Sequence, residues 1–116
     1  MALTFDDGPS SAITPQVLNI LQKHQVRATF FVLGVHVKGN ESLLKRMYSE
    51  GHEIGNHSWG HPDLTKLTGQ QVALQVGLTQ RAITDVGVPA PTVFRPPYGA
   101  INGMVRSHVP LTIALW

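Results

Sequence analysis

Two adjacent carboxylates, Asp6 and Asp7, two histidines four residues apart, His57 and His61, and an arginine ahead of two prolines, Arg95-Pro96-Pro97, are the side chains in this sequence best suited to chemistry. Imidazoles at that spacing can converge on one ion from a compact loop or a helical turn. A carboxylate from Asp6-Asp7 would complete a three-ligand site, and three protein ligands leave positions open for water and substrate, as a catalytic metal requires. Taken alone, a histidine pair is more often ordinary core or surface, and Asp-Asp-Gly-Pro is also an ordinary turn with an Asx cap. Arg95 could be no more than a rigid strand exit, although an arginine there is well placed for a charge-assisted pair with a carboxylate. Successive residues leaving a strand point in different directions, so one aspartate can face an ion while its neighbour faces a water.

These groups lie tens of residues apart, so the intervening elements must bring them together. Ala2-Leu3-Thr4-Phe5 reads as a buried strand ended by the turn at Gly8-Pro9. Thr14-Pro15 reads as a helix start, with Val17, Leu21 and His24 on one face and Leu18 and Ile20 flanking it. A strand over Ala28 to Leu33 is apolar enough to be covered on both faces. Asn40 is placed to cap a helix over Glu41 to Ser49, and His52 to Gly55 reads as a third strand feeding a loop from Asn56 to His61. Thr68 starts the longest helix, where Val72, Val76, Thr79, Ile83 and Val86 recur at steps of four and three until Gly87. Val93-Phe94 is a fourth strand, Asn102 to His108 a short helix, and Leu111 to Leu115 a fifth strand. Alternating strand and helix predicts an α/β fold, a parallel sheet of about five strands with outer helices. In such folds the loops after the strands share one face, and every polar group above follows a strand.

Composition narrows the classes. A chain of 116 residues with 42% hydrophobic content holds one core, so residues 1–116 are read as a single domain. Its longest apolar run, around Phe30 to Val37, is broken by Gly34 and His36, well short of the roughly 18 to 20 residues of a membrane span. Cysteine is absent, which removes disulfides and thiolate metal sites. The nine basic residues are scattered, so nucleic acid is not an expected partner. Met1-Ala2-Leu3 runs into a strand with no leader ahead of it, so an export signal is read as absent from this chain.

Thr4-Phe5-Asp6-Asp7-Gly8-Pro9, His57-Ser58-Trp59-Gly60-His61 and Arg95-Pro96-Pro97-Tyr98-Gly99, in that order, closely resemble the first three motifs of the NodB-homology polysaccharide deacetylases, carbohydrate esterase family four. The resemblance runs from Leu3 to Trp116 and implies an incomplete, distorted (β/α) barrel that hydrolyses acetyl groups from chitin or peptidoglycan sugars, or from xylan. It further implies that Asp7, His57 and His61 bind a divalent metal, zinc first with cobalt, nickel or manganese as alternatives. Asp6 would be the base toward the attacking water, Arg95 would hold Asp6, and the backbone N–H of Tyr98 would help stabilise the oxyanion. Ser58 is read as structural, its hydroxyl holding a loop turn, and His24, His36, His52 and His108 are not promoted to site residues.

The family carries two further motifs beyond the third, one with an aspartate that supports the arginine and one with a histidine that protonates the leaving amine. The chain is accordingly expected to lack its C-terminal part, with amide hydrolysis suffering more than ester hydrolysis. Its fifth strand is expected to be covered by another copy of the chain, by a complementing C-terminal fragment or by a rearranged segment. Implied partners are an acetylated polysaccharide, and the implied location is extracellular or the cell wall. Two other readings remain: a metal- and carbohydrate-binding fragment without turnover, and a purely complementing piece of a larger barrel.

Overall fold

The computed structural model describes residues 3–116; Met1 and Ala2, where the leader reading and the start of the first predicted strand fall, lie outside the described residues. Five strands, β1 (Leu3–Asp6), β2 (Ala28–Val32), β3 (Glu53–Asn56), β4 (Val93–Phe94) and β5 (Thr112–Ile113), pair in chain order, every neighbour parallel. Four α-helices accompany them: α1 (Thr14–Lys23), α2 (Glu41–Ser49), α3 (Gly69–Val86) and α4 (Gly103–His108). This is the predicted α/β architecture, and among the described residues the sheet is open rather than closed into a barrel.

Register puts the strand ends level. Asp6 lies opposite Phe31, Val32 opposite Asn56, and Asn56 opposite Phe94. The chain therefore leaves every strand at one edge of the sheet, and the motif residues follow.

Two apolar clusters hold this arrangement. Leu18 and Leu21 of α1, Leu44 and Met47 of α2, and Ile83 of α3 pack with Phe30, Val32 and Ile54 of the sheet. Val72 and Val76, nearer the start of α3, pack with Leu64, Phe94, Val105 and Val109. The α3 periodicity is realised as read: Val72, Val76, Thr79 and Ile83 are buried, Thr68 and Gln71 form a reciprocal capping box, and Gly87 ends the helix at φ 105°.

Several boundaries shift. The α1 cap position is Ile13, one residue before Thr14, because the Thr14 hydroxyl is engaged by Ser10 N–H at 2.8 Å and Thr14 is already helical. Leu18, not His24, lies on the buried face of α1. Asn40 occupies the α2 cap position without capping; its amide donates back to the His36 carbonyl at 2.9 Å. The third strand begins at Glu53 and includes Asn56, while His52 sits just before it, buried, its Nδ1 accepting Ala28 N–H at 3.0 Å. β5 is shorter than read, since only Thr112 and Ile113 pair with β4.

Candidate metal centre and catalytic site

At the sheet edge where β1, β3 and β4 end, Asp7 Oδ1 stands 3.2 Å from His57 Nε2 and 3.3 Å from His61 Nε2. Each of the three residues offers one ligand atom, and these atoms lie within 4.8 Å of one another. Asp7 leaves β1 with φ 74°, its N–H bonded to the Phe31 carbonyl at 3.1 Å, which turns its side chain toward the histidines. His57 leaves β3 fully enclosed, its Nδ1 2.6 Å from the Arg95 carbonyl. A carbonyl only accepts, so Nδ1 carries the proton and Nε2 keeps a lone pair aimed at Asp7. Burial pushes the His57 imidazole below its ordinary pKa, against opposing contributions from the Arg95 carbonyl and the Asp6 and Asp7 carboxylates. His61 packs its ring edge-on to His57, at 5.0 Å between centroids, and to Tyr98 at 4.7 Å. Two imidazoles and a carboxylate form a donor set of intermediate hardness that fits a divalent transition metal.

Asp6 faces the other way. Its Oδ1 accepts from Arg95 Nη1 at 2.9 Å, and the same nitrogen reaches the Thr4 hydroxyl at 2.9 Å. The Arg95 guanidinium lies 4.3 Å from the centre of the Phe31 ring and 5.0 Å from that of Trp116. Arg95 is 4% exposed, so Asp6 supplies the negative charge that compensates a buried cation.

The site is also where backbone strain collects. Asp7 (φ 74°), Ser58 (74°), His61 (65°) and Tyr98 (61°) are four of the five non-glycine residues at positive φ among the described residues. Such conformations cost on the order of 1–3 kcal/mol each and persist where surrounding contacts over-determine them. Ser58 shows one such contact: its hydroxyl accepts His61 N–H at 3.1 Å, the turn-holding role expected of it.

The polysaccharide deacetylase family model matches residues 1–110. The chain belongs to this family. It is 53% identical, over its whole length, to the peptidoglycan-N-acetylglucosamine deacetylase PgdA of Listeria monocytogenes, of which it covers 25%. The solved peptidoglycan deacetylase PdaC of Bacillus subtilis superimposes with a TM-score of 0.96 at 49% identity, covering 99% of this chain and 57% of that one. A family 4 carbohydrate esterase from Streptomyces lividans, solved in complex with acetate, superimposes at 0.95 with 39% identity over all of this chain and 62% of that one. The chain thus spans about a quarter of the length of PgdA and of the PdaC sequence of Bacillus subtilis.

Sequence reading brought Asp6, Asp7, His57, His61, Arg95 and Tyr98 to one place but missed residues that position them. His36 is one. In the turn after β2 its Nδ1 lies 2.7 Å from the Asp7 carbonyl, so the imidazole donates there and helps hold the strained Asp7 backbone. Thr4, one strand alternation before Asp6, is another. The available signal for both was position, His36 just past the end of β2 and Thr4 on the Asp6 face of β1. His24 lies at the end of α1, while His108 bonds Met104 O and packs near Gly69.

Proposed function

We propose that this chain carries the metal-binding and base-bearing part of a hydrolase that removes acetyl groups from an N-acetylglucosamine polymer of the peptidoglycan or chitin type. The observation that carries the reading is the juxtaposition of Asp7, His57 and His61 within 4.8 Å with an Asp6 carboxylate held separately by Arg95. Asp7, His57 and His61 are assigned as ligands to a divalent cation, zinc first, with cobalt, nickel or manganese able to occupy the same donors. Such a cation supplies Lewis acidity, lowering the pKa of a water and polarising an acetyl carbonyl.

The chain's own residues do the rest. Arg95 occupies Asp6 Oδ1 and leaves the other carboxylate oxygen to take a proton from the attacking water. The water oxygen bonds to the acetyl carbon, the carbon–nitrogen bond breaks, and the sugar amine leaves with the proton that Asp6 took from the water. The Tyr98 backbone N–H is assigned to the oxygen that gains charge, a role suited to a preorganised backbone donor. No serine or cysteine nucleophile is needed.

An activity at the cell wall or outside the cell is the location this reading takes, supported by relatives named as peptidoglycan deacetylases, and among the described residues no helix is long and apolar enough to cross a membrane. The partner is an acetylated polysaccharide. The exposed rim beside β5 is assigned to a second copy of the chain or a C-terminal segment supplied separately.

Acetate release from chitin oligomers and from acetylated xylan, with the metal stripped by chelator and then restored, tests this reading. Release that stops on stripping and returns on restoration supports it. A preference for xylan acetate moves the assignment to an acetyl xylan esterase, and bound metal without release from either polymer leaves a binding-only fragment.

A further inference from the structure

The two histidine ligands are joined by Ser58-Trp59-Gly60, a segment with left-handed φ at Ser58 and again at His61. It is gripped from two sides. The turn after β2 takes its carbonyls: Gly34 N–H donates to Ser58 O and Val35 N–H to Trp59 O, each at 3.0 Å. Its free N–H groups turn toward α3, where one side-chain oxygen, Gln75 Oε1, accepts Trp59 N–H at 2.9 Å and Gly60 N–H at 3.2 Å. Two successive backbone donors converging on one oxygen make the concavity that elsewhere holds an anion; here a neutral amide fills it.

We propose that Gln75 is a positioning residue for the metal centre, fixing the separation and aim of His57 and His61 through the backbone between them. The proposal rests on the metal-centre reading above. Among the described residues, Gln75 alone takes the N–H groups at the middle of the segment, whereas other contacts hold its carbonyls and secure its ends. Asn56 Oδ1 accepts Ser58 N–H at 2.9 Å while its amide is tied to Val76 O and Gln80 Oε1, both at 3.0 Å. Ser58 Oγ secures His61 N–H. Trp59 adds packing, its ring seated over Gly34, where an added Cβ would overlap it. With the ends and the carbonyl side of the bridge secured, loss of Gln75 Oε1 leaves the fold intact and frees the N–H side of its middle, and a strained bridge then relaxes out of the ligating geometry.

The roles separate in a comparison of the wild-type chain with Gln75→Met, which keeps the stem and loses the oxygen, and Gln75→Glu, which keeps an acceptor. Zinc affinity is measured by calorimetry against a competing chelator, and amide hydrogen exchange of Trp59 and Gly60 is followed in the metal-free protein. Gln75→Met is expected to weaken zinc binding by about 10–100-fold, the usual cost of removing a group that orients a ligand. Its Trp59 and Gly60 amides should lose protection while its melting temperature stays near wild type. Gln75→Glu should retain both affinity and protection. Equal zinc affinity in wild type and Gln75→Met overturns the proposal and leaves the metal centre standing, as does equal weakening in Gln75→Met and Gln75→Glu. Failure of the wild type to bind zinc, cobalt, nickel or manganese overturns the metal-centre reading and the proposal with it. Should Gln75→Met not fold, Gln75→Ala replaces it, and fast exchange of both amides in the wild type itself is contrary evidence that needs no variant.

Discussion

Asp6 and Asp7 are covalent neighbours with separate partners, and the separation comes from one backbone angle. Asp6 still obeys strand geometry and points to Arg95, while Asp7, at φ 74°, swings to the histidines. Exchanging either carboxylate for a carboxamide should therefore give different losses. Asp7→Asn is expected to lose metal, since a neutral amide oxygen replaces the anionic donor. Asp6→Asn should retain metal and lose about 10²- to 10⁴-fold in acetate release, the usual contribution of a positioned base. Metal content and turnover measured on the same samples check both; the reverse pattern would exchange the two roles. The pair was legible because two carboxylates leave one strand. The part of His36 was not, because nothing in a sequence shows that a turn after β2 reaches the backbone after β1.

The elements act by delivering loops, and their tolerance to change follows from how closely the loops pack. Gly34, just past β2, faces the Trp59 ring, and an added Cβ would overlap that ring and approach Thr79 Oγ1 to 2.6 Å. Gly34→Ala is expected to destabilise by about 1–3 kcal/mol as an overpacked core substitution, read from the denaturation midpoint. Because the displaced ring belongs to the bridge between His57 and His61, metal affinity is expected to fall too. A variant as stable and as tight-binding as wild type would mean that the loop yields without cost. The α3 stripe was readable because apolar spacing at steps of three and four has one consistent structural outcome. The ends of α1 and β3 moved by a residue because local polar contacts, Thr14 with Ser10 and His52 with Ala28, outweigh cap and strand propensities.

At the scale of the molecule, His52 links sheet integrity to pH. Its Nδ1 must stay unprotonated to accept Ala28 N–H, which joins the start of β2 to the start of β3. Burial lowers its pKa, helped by Arg27 and Arg46 and opposed by Glu50. The unfolded chain takes up a proton near about pH 6.5 and the folded one only lower, so stability is full above that pH and declines as pH falls below it. His52→Asn, which keeps an acceptor and cannot titrate, should show a flatter fall in denaturation midpoint between neutral and mildly acid pH. Identical slopes would remove His52 from this role. The open sheet makes a second demand: Leu115 is 48% and Trp116 71% exposed beside the β5 edge. Concentration-dependent self-association through this rim is the outcome expected in sedimentation. A well-behaved monomer at high concentration would show that the rim is stable in water.

Residue type and order alone determined the family resemblance, the parallel alternation of strand and helix, and the six residues gathered at one sheet edge, because each follows from local pattern. The tertiary structure decided the rest. That Arg95 holds Asp6 through one nitrogen shared with Thr4, that its carbonyl sets the His57 tautomer, and that Gln75 fills the concavity under Trp59 and Gly60 all depend on distances across the fold. Spacing along a chain carries no such distances. They arise only when strand register levels the loops and helix packing lays α3 beneath them.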